Sequence, residues 1–483
     1  MNISQLLLGI DVLKGILNLD LEIQGIASDS RKVKDNYAFF AISGVFRNGN
    51  DYIEEAIQNG ASVVITDDAG VQLRENLIYV ENSRKALAYM WNNFYCNPTE
   101  KMKLIAITGT NGKSSTAQLL YSILKENGEK CALISTIKSY IGNDEYDFCG
   151  GSEVLDVTSS MTTPDPEKLY KFFYNAKLCG VKMIVMEASS HALAQEKLSP
   201  LSFEVGVFTN LSSEHMDFHL NMESYFLAKQ KLFSMSKNSI VNCDDEYGNL
   251  IKARCKGVKS FSTKENIKGC QFTNNGCKFT YAEGENEIEI ESAVLGEFTP
   301  QNIALAIMSA QVLGINKNTI KQGVLSCECI NGRLEKVYDN IIIDYAHTPL
   351  AMEKAINSVK KHFPNKNIVV IFGCGGDRDK SKRSIMGKIS TTLASKVIIT
   401  ADNSRSEDTT KIIEDIVENI DSDNYVIIYS RKEAIKFGVE RLEENEVLLI
   451  LGKGHENYEI KNNRKIPFSE KEIISEALND KNK

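Results

Sequence analysis

The sequence predicts an α/β protein in three blocks, and three observations carry that expectation. Between residues 341 and 451, short aliphatic runs recur without polar alternation, as in strands buried on both faces of a parallel sheet. Helix-like stretches separate these runs, as βαβ units require. Upstream, the apolar run Leu104–Thr108 feeds a glycine-rich turn and a helical pattern from Ser114 to Asn127.

A chain of 483 residues exceeds what one core serves, and the boundaries are read as 1–98, 99–330 and 331–483. In the first block Tyr37–Ile42 and Ser62–Thr66 read as strands. Met1–Leu19 reads as an amphipathic helix; it carries Asp11 and lacks the basic start and cleavage site of a signal peptide. The second block adds strands at Cys131–Thr136, Met183–Ala188 and Val205–Asn210, a β-like insertion over Gly257–Glu297 and a helix over Gln301–Leu313. The third has strands at Ile341–Tyr345, Ile368–Phe372, Lys396–Thr400, Tyr425–Tyr429 and Glu446–Leu451. The expected architecture is a central P-loop-type mononucleotide-binding domain and a Rossmann-like C-terminal domain, preceded by a smaller α/β domain.

An apolar fraction of 42% and a charged fraction of 25% belong to ordinary globular proteins. The net charge of -8 argues against nucleic acid or an anionic membrane as partner. No apolar run reaches bilayer length. The 11 cysteines are scattered without a CxxC pair, which reads as reduced thiols in a cytoplasmic protein.

The chemistry concentrates where strands end. Gly109-Thr110-Asn111-Gly112-Lys113-Ser114-Ser115 joins strand to helix: helix-start N–H groups hold phosphate oxygens, glycines admit close approach and lysine adds charge. Ser114 is a candidate Mg²⁺ ligand. The GxxGKS spacing is two residues shorter than GxxxxGK[ST], so this is a variant loop. Glu187 in Met186-Glu-Ala-Ser-Ser-His191 and His215 in Ser213-Glu-His215-Met-Asp217-Phe-His219 are further Mg²⁺ candidates. Five of the six histidines fall in such segments. Asn331-Gly-Arg333-Leu-Glu, Asp344-Tyr-Ala-His347, Phe372-Gly-Cys-Gly-Gly-Asp through Arg383, Asp402-Asn-Ser-Arg405 and Gly452-Lys-Gly-His-Glu456 follow. The glycines at 373, 375 and 376 do not extend to GxGxxG, which disfavours a nicotinamide dinucleotide.

As an ordered set these segments resemble the Mur ligases over about residues 25 to 460. The resemblance implies a three-domain enzyme forming an amide bond to the D-glutamate of UDP-N-acetylmuramoyl-L-alanyl-D-glutamate. It further implies ATP, Mg²⁺, an acyl phosphate and an incoming diamino acid, meso-2,6-diaminopimelate, with no nucleic-acid or membrane partner and a monomeric chain. By resemblance Gly109 to Ser115, Asn302, Arg333, Asp344 and His347 meet ATP. Ser28, Ser30 and residues 45–47 meet UDP, and Thr162, Thr163, Ser189, Gln195 and Lys197 meet the muramoyl dipeptide. Arg383, Asp402, Asn403, Ser404, Arg405, Gly452 and Glu456 meet the amino acid. Lys113, Glu187, His215 and Lys229 serve catalysis, with Ser114, Glu187 and His215 on the metal and Lys229 carbamylated. Read without the resemblance, Lys229 is a solvated helix lysine.

The sequence departs from the family pattern at Ser115, Lys197, Ser213, Glu214, Thr299 and Ser404. Those departures keep open an L-lysine-adding enzyme or a paralogue with another acceptor. A folylpolyglutamate- or cyanophycin-type ligase is opposed by Asp402–Arg405 and Gly452–Glu456, and a non-enzymatic nucleotide binder by Lys113, Glu187, His215 and Arg333.

Overall fold

The computed structural model describes residues 1–16, 18–44, 47–148 and 161–481. The chain forms two compact units that meet in sequence at Ser260 and Phe261, with residues 114–127 belonging to the second.

The first unit carries a five-stranded sheet in the order Val12–Ile16, Leu77–Val80, Ala61–Thr66, Tyr37–Ala41, Gly25–Ala27. Its eight-stranded sheet runs Val258–Phe261, Ser236–Asn242, Phe203–Phe208, Lys103–Thr108, Met183–Glu187, Cys131–Ile134, Ser139–Ile141, Asp144–Tyr146. The central pairings of this sheet are parallel, so the C-terminal ends of Lys103–Thr108, Met183–Glu187 and Phe203–Phe208 lie side by side. Leu104, Ile105, Ile184, Val185 and Val207 are buried on both faces. The unalternating apolar runs reflect that double burial, each such side chain contributing roughly 1.5–3 kcal/mol.

The helix expected over residues 1–19 is corrected. Among the described residues of that stretch only Ile3–Leu6 is helical, and Val12–Ile16 pairs antiparallel with Leu77–Val80. Gly9 at φ +75° ends the turn, and a partner strand offers the following segment backbone bonds that an isolated short helix cannot match.

In the second unit a six-stranded sheet runs Glu335–Tyr338, Ile341–Asp344, Glu446–Leu451, Asn367–Phe372, Lys396–Ile399, Tyr425–Ile427. All pairings but the first are parallel. One expectation shifts here: Tyr425–Ile427 is an edge strand, with Val426 and Ile427 exposed, so its apolar run is not buried on both faces. The segment 257–297 supplies a three-stranded antiparallel sheet, Ile267–Thr273, Gly276–Glu283 and Asn286–Ser292. Thr348 caps the helix Pro349–His362 by accepting from the Ala351 N–H, with proline in the first turn where no donor is needed. Among the described residues no helix is long and apolar enough to cross a membrane.

The helices Lys113–Glu126 and Lys317–Leu325 meet closely: Ser122 donates to the Gly323 carbonyl at 2.7 Å, and a Cβ on Gly323 would stand 2.4 Å from the Ile123 Cα. Gly323→Ala should therefore cost about 1–3 kcal/mol through overpacking. Thermal unfolding checks this; an unchanged midpoint would show that the helices tolerate a methyl group between them.

Candidate active site

At the end of Lys103–Thr108 the chain turns at Gly109, φ +146°, where a Cβ would lie 1.9 Å from Thr209 Oγ1. Gly112 follows at φ +82°. The turn is stitched to the neighbouring strand's loop. The Asn111 N–H donates to Asn210 Oδ1 at 3.0 Å, Thr209 Oγ1 to the Asn111 carbonyl at 2.6 Å, and Thr110 N–H to the Asn210 carbonyl at 2.8 Å. Lys113 Nζ lies against the Gly109 and Thr110 carbonyls at 3.0 and 2.8 Å. Ser114 and Ser115 open the helix.

The structure places Lys229 beneath this turn. Its side chain is 1% exposed and Nζ donates to the same Gly109 carbonyl at 2.8 Å, 4.6 Å from the Tyr225 ring centroid. Burial, then the charge of Lys113, pulls its ammonium well below the ordinary lysine range.

Glu187 is fully buried at the neighbouring strand end. Oε1 accepts from Ser135 Oγ at 2.6 Å and the Thr136 N–H at 2.9 Å, and Oε2 from Thr136 Oγ1 at 3.1 Å. All are neutral donors, and among the described residues no cation pairs with this carboxylate, so it fits a divalent ion. His215 sits at φ +57° at the start of a helical turn, its ring 4.9 Å from that of His191. Burial pulls the imidazoles of His191, to about 4, of His215 and of His219 downward, keeping neutral rings available as ligands. Among the described residues no group of three or more His, Cys, Asp or Glu side chains is arranged around one metal position. A Mg²⁺ here would complete its shell with phosphate and water oxygens.

Thr162 and Thr163 join this neighbourhood: Thr162 Oγ1 is 3.0 Å from Thr136 Oγ1, and Thr163 Oγ1 donates to the Glu187 carbonyl and accepts from the Ser189 N–H. Ser28, Gln195 and Lys197 line a cavity of about 640 Å³, together with Lys32, Lys34, Arg84, Trp91, Phe94 and Tyr95. Lys197 is paired with Asp165 at 2.7 Å. The last six residues were not anticipated; the aromatic ones read locally as the core face of the helix Ser83–Phe94. Ser30 lies off the cavity, donating to Glu55 at 2.7 Å. Of the loop 45–47, residues 45 and 46 lie outside those described.

In the second unit Thr116 donates to Asn302 Oδ1 at 3.4 Å. Asp344 is held by the Leu334 and Ala346 N–H groups, both at 2.8 Å. Burial raises its pKa and the Arg333 charge opposes that shift. The Arg333 guanidinium lies over the Tyr345 ring, whereas His347 is exposed.

A second cluster joins the ends of Lys396–Ile399 and Glu446–Leu451. Asn403 donates Nδ2 to Glu456 at 2.8 Å and accepts at Oδ1 from Lys453 Nζ at 2.9 Å and the Ile460 N–H at 2.8 Å. Arg405, at φ +53°, bonds through Nη1 to the Gly376 carbonyl at 2.7 Å. Its Nε and Nη2 make no hydrogen bond among the described residues. Gly452 turns at φ +117°, where a Cβ would meet Asp402. Burial raises the Glu456 carboxyl, reinforced by Asp402 and opposed by Lys453, Asn403 and Arg405. Burial lifts Asp402 too, but Lys453 and Arg431 outweigh it and hold the group below the usual carboxylate range. Ser404 is buried, its carbonyl packed against Gly376. Arg383 lies under the same cluster: it is 0% exposed, with Nη1 and Nη2 on Glu407 at 3.1 and 3.0 Å and Nη1 on Asp415 at 2.7 Å. It organises the loop from below.

Comparison with known proteins matches three family patterns: "Mur ligase family, catalytic domain" over residues 22–95, "Mur ligase middle domain" over 107–310 and "Mur ligase, glutamate ligase domain" over 332–454. A Clostridium perfringens UDP-N-acetylmuramoyl-L-alanyl-D-glutamate--2,6-diaminopimelate ligase is 40% identical over 501 residues, covering 100% of both chains. Ligase 1 of that description from Clostridium acetobutylicum is 37% identical, covering 96% of each. The chain belongs to the Mur ligase family. A solved structure of a 2,6-diaminopimelate ligase overlays it with a TM-score of 0.72 at 27% identity, covering 100% of this chain and 99% of the other. The Mur fold is shared with a MurF ligase of Thermotoga maritima in complex with ADP, TM-score 0.60 at 18% identity, covering 96% of this chain and 98% of the other. Mur ligases are ATP-dependent and ADP-forming, and this chain is such a ligase.

Because folding depresses the Lys229 pKa, the native state binds fewer protons than the unfolded chain up to about pH 10.5. Stability therefore rises with pH between the depressed value and that limit, and is lower below it. Lys229→Met should remove this rise; thermal midpoints of both proteins across pH 6 to 10 in CO₂-free buffer check it.

Proposed function

We propose that this Mur ligase joins meso-2,6-diaminopimelate to the D-glutamate of UDP-N-acetylmuramoyl-L-alanyl-D-glutamate, in peptidoglycan precursor synthesis. The curated relatives' names support the reading. The observation that carries the amino-acid choice is Arg405 and Glu456 converging on Asn403. Diaminopimelate is lysine with a carboxylate beside its distal amine. Arg405 offers that carboxylate a planar two-toothed partner, and Glu456, raised by burial, gains most from an arriving ammonium.

The substrate carboxylate attacks the γ-phosphorus of ATP, ADP leaves, and the amine then attacks the acyl phosphate, releasing phosphate and a proton. The Gly109–Ser115 turn and Lys113 hold the phosphates in line, while Thr162, Thr163 and Ser189 orient the muramoyl dipeptide. Asn302, Arg333, Asp344 and His347 hold the nucleotide. Ser28, Gln195 and Lys197 take the UDP-dipeptide in the 640 Å³ cavity, to which Trp91 and Tyr95 add an aromatic wall. Mg²⁺, held by Glu187, His215 and Ser114, would neutralise charge on the transferring phosphoryl group. Burial depresses the Lys229 pKa, which favours the neutral amine that carbamylation by CO₂ needs, and a carbamate there would add an anion beside the metal. The domains at 1–98, 99–330 and 331–483 then bind UDP, ATP and amino acid respectively, in a cytoplasmic monomer.

Acceptor-dependent phosphate release tests the reading. The wild type should favour meso-diaminopimelate over L-lysine by about 10⁴-fold in kcat/KM, as sites built on polar pairing do, and Arg405→Ala should erase most of that preference. A wild-type preference for lysine, or an unchanged ratio in Arg405→Ala, overturns the assignment. Lys229→Ala should be nearly inactive and partly restored by a short-chain carboxylic acid; activity near wild type would remove the carbamate from the mechanism.

A further inference from the structure

Two loops that the proposed function assigns to different ligands are fastened to consecutive residues of one helix. The helix Glu470–Lys481 begins with Glu470, 3% exposed, and Lys471. Glu470 Oε1 accepts from Arg431 Nε at 2.7 Å. Arg431 is 2% exposed; Nη2 also lies 2.7 Å from Glu470 Oε1, and both Nη atoms reach the backbone of the amino-acid loops. Nη2 bonds the Leu451 carbonyl at 2.8 Å, directly before Gly452, and Nη1 the Ala401 carbonyl at 3.2 Å, directly before Asp402. Lys471 points the other way. Its Nζ bonds Asn331 Oδ1 at 2.7 Å and Glu335 Oε1 at 2.6 Å, and Glu335 Oε2 accepts from the Gly332 N–H at 2.8 Å, bracketing Arg333.

We infer that Glu470 and Lys471 are positioning residues, the first setting the 401–405 and 451–456 loops for the amino acid and the second setting the 331–335 loop for the nucleotide. Neither touches the expected ligands; each acts through a second residue. The two prongs differ in chemistry. The Glu470–Arg431 pair is buried, and losing one partner strands the other's charge. The Lys471 side chain is 44% exposed and its prong closes a surface turn. One short helical turn thereby fixes the spacing between the strand ends on which both loops ride, which a loop–loop contact alone would leave free to drift. The inference rests on the ligase reading for the names of the ligands, though not for the fastening itself.

Two readouts on the full-length protein separate brace from reading. Hydrogen exchange needs no substrate. Glu470→Gln should speed exchange about tenfold in 401–405 and 451–456 while leaving 331–335 unchanged, and Lys471→Met should do the reverse. In turnover assays Glu470→Gln should raise KM for diaminopimelate about tenfold with KM for ATP within about twofold, Lys471→Met should raise KM for ATP instead, and Lys471→Arg should restore it. Lys471→Met is the safeguard should Glu470→Gln fail to fold. Exchange confined to the C-terminal helix, or both KM values rising together in either variant, overturns the brace. Wild-type inactivity with diaminopimelate overturns only the ligase reading, since the exchange result stands without it.

Discussion

The bond from Lys229 to the Gly109 carbonyl fixes the character of the first unit's site. That carbonyl also receives Lys113, so two ammonium groups converge on one oxygen at the point where strand becomes helix. Burial, and after it the charge of Lys113, makes Lys229 hold its proton less tightly. The arrangement exists because Gly109 lets the chain turn at φ +146° against Thr209, where any side chain would collide. At the adjacent strand end lies Glu187, which among the described residues accepts from neutral donors.

The second unit solves a different problem with the opposite balance. Around Asn403 the ionisable groups are mixed: Asp402 and Glu456 against Lys453, Arg405 and Arg431. Asp402 is held ionised by two cations, while Glu456, sharing that neighbourhood, is pushed toward its neutral form. A zwitterionic ligand suits this inequality, because an incoming ammonium stabilises the carboxylate that the protein itself leaves undercompensated. The buried Arg431–Glu470 pair holds the loops through their backbone carbonyls, which separates rigidity from recognition.

Much of the candidate site is legible because parallel strands end on one side, so polar loops after aliphatic runs must gather there. Gly109–Ser115, Glu187, Asp344, Asn403–Arg405 and Gly452–Glu456 were found by that rule. The rule failed where a residue's role depends on partners distant in sequence. Arg383 reads as part of a basic loop, and its ion pairs with Glu407 and Asp415 are not visible in the local sequence. Trp91, Phe94 and Tyr95 carry no motif in the sequence, yet they wall the cavity.

The sequence by itself determined the central parallel strands, the turn chemistry and the family, since periodicity, glycine placement and motif order are properties of neighbouring residues. Only the tertiary structure decided that residues 12–16 pair as a strand, that Tyr425–Ile427 stands at an edge, and that Lys229 is a buried amine under Gly109 rather than a solvated one. Those outcomes turn on burial and on partners brought together across more than sixty residues of chain, and neither quantity exists until the chain has folded.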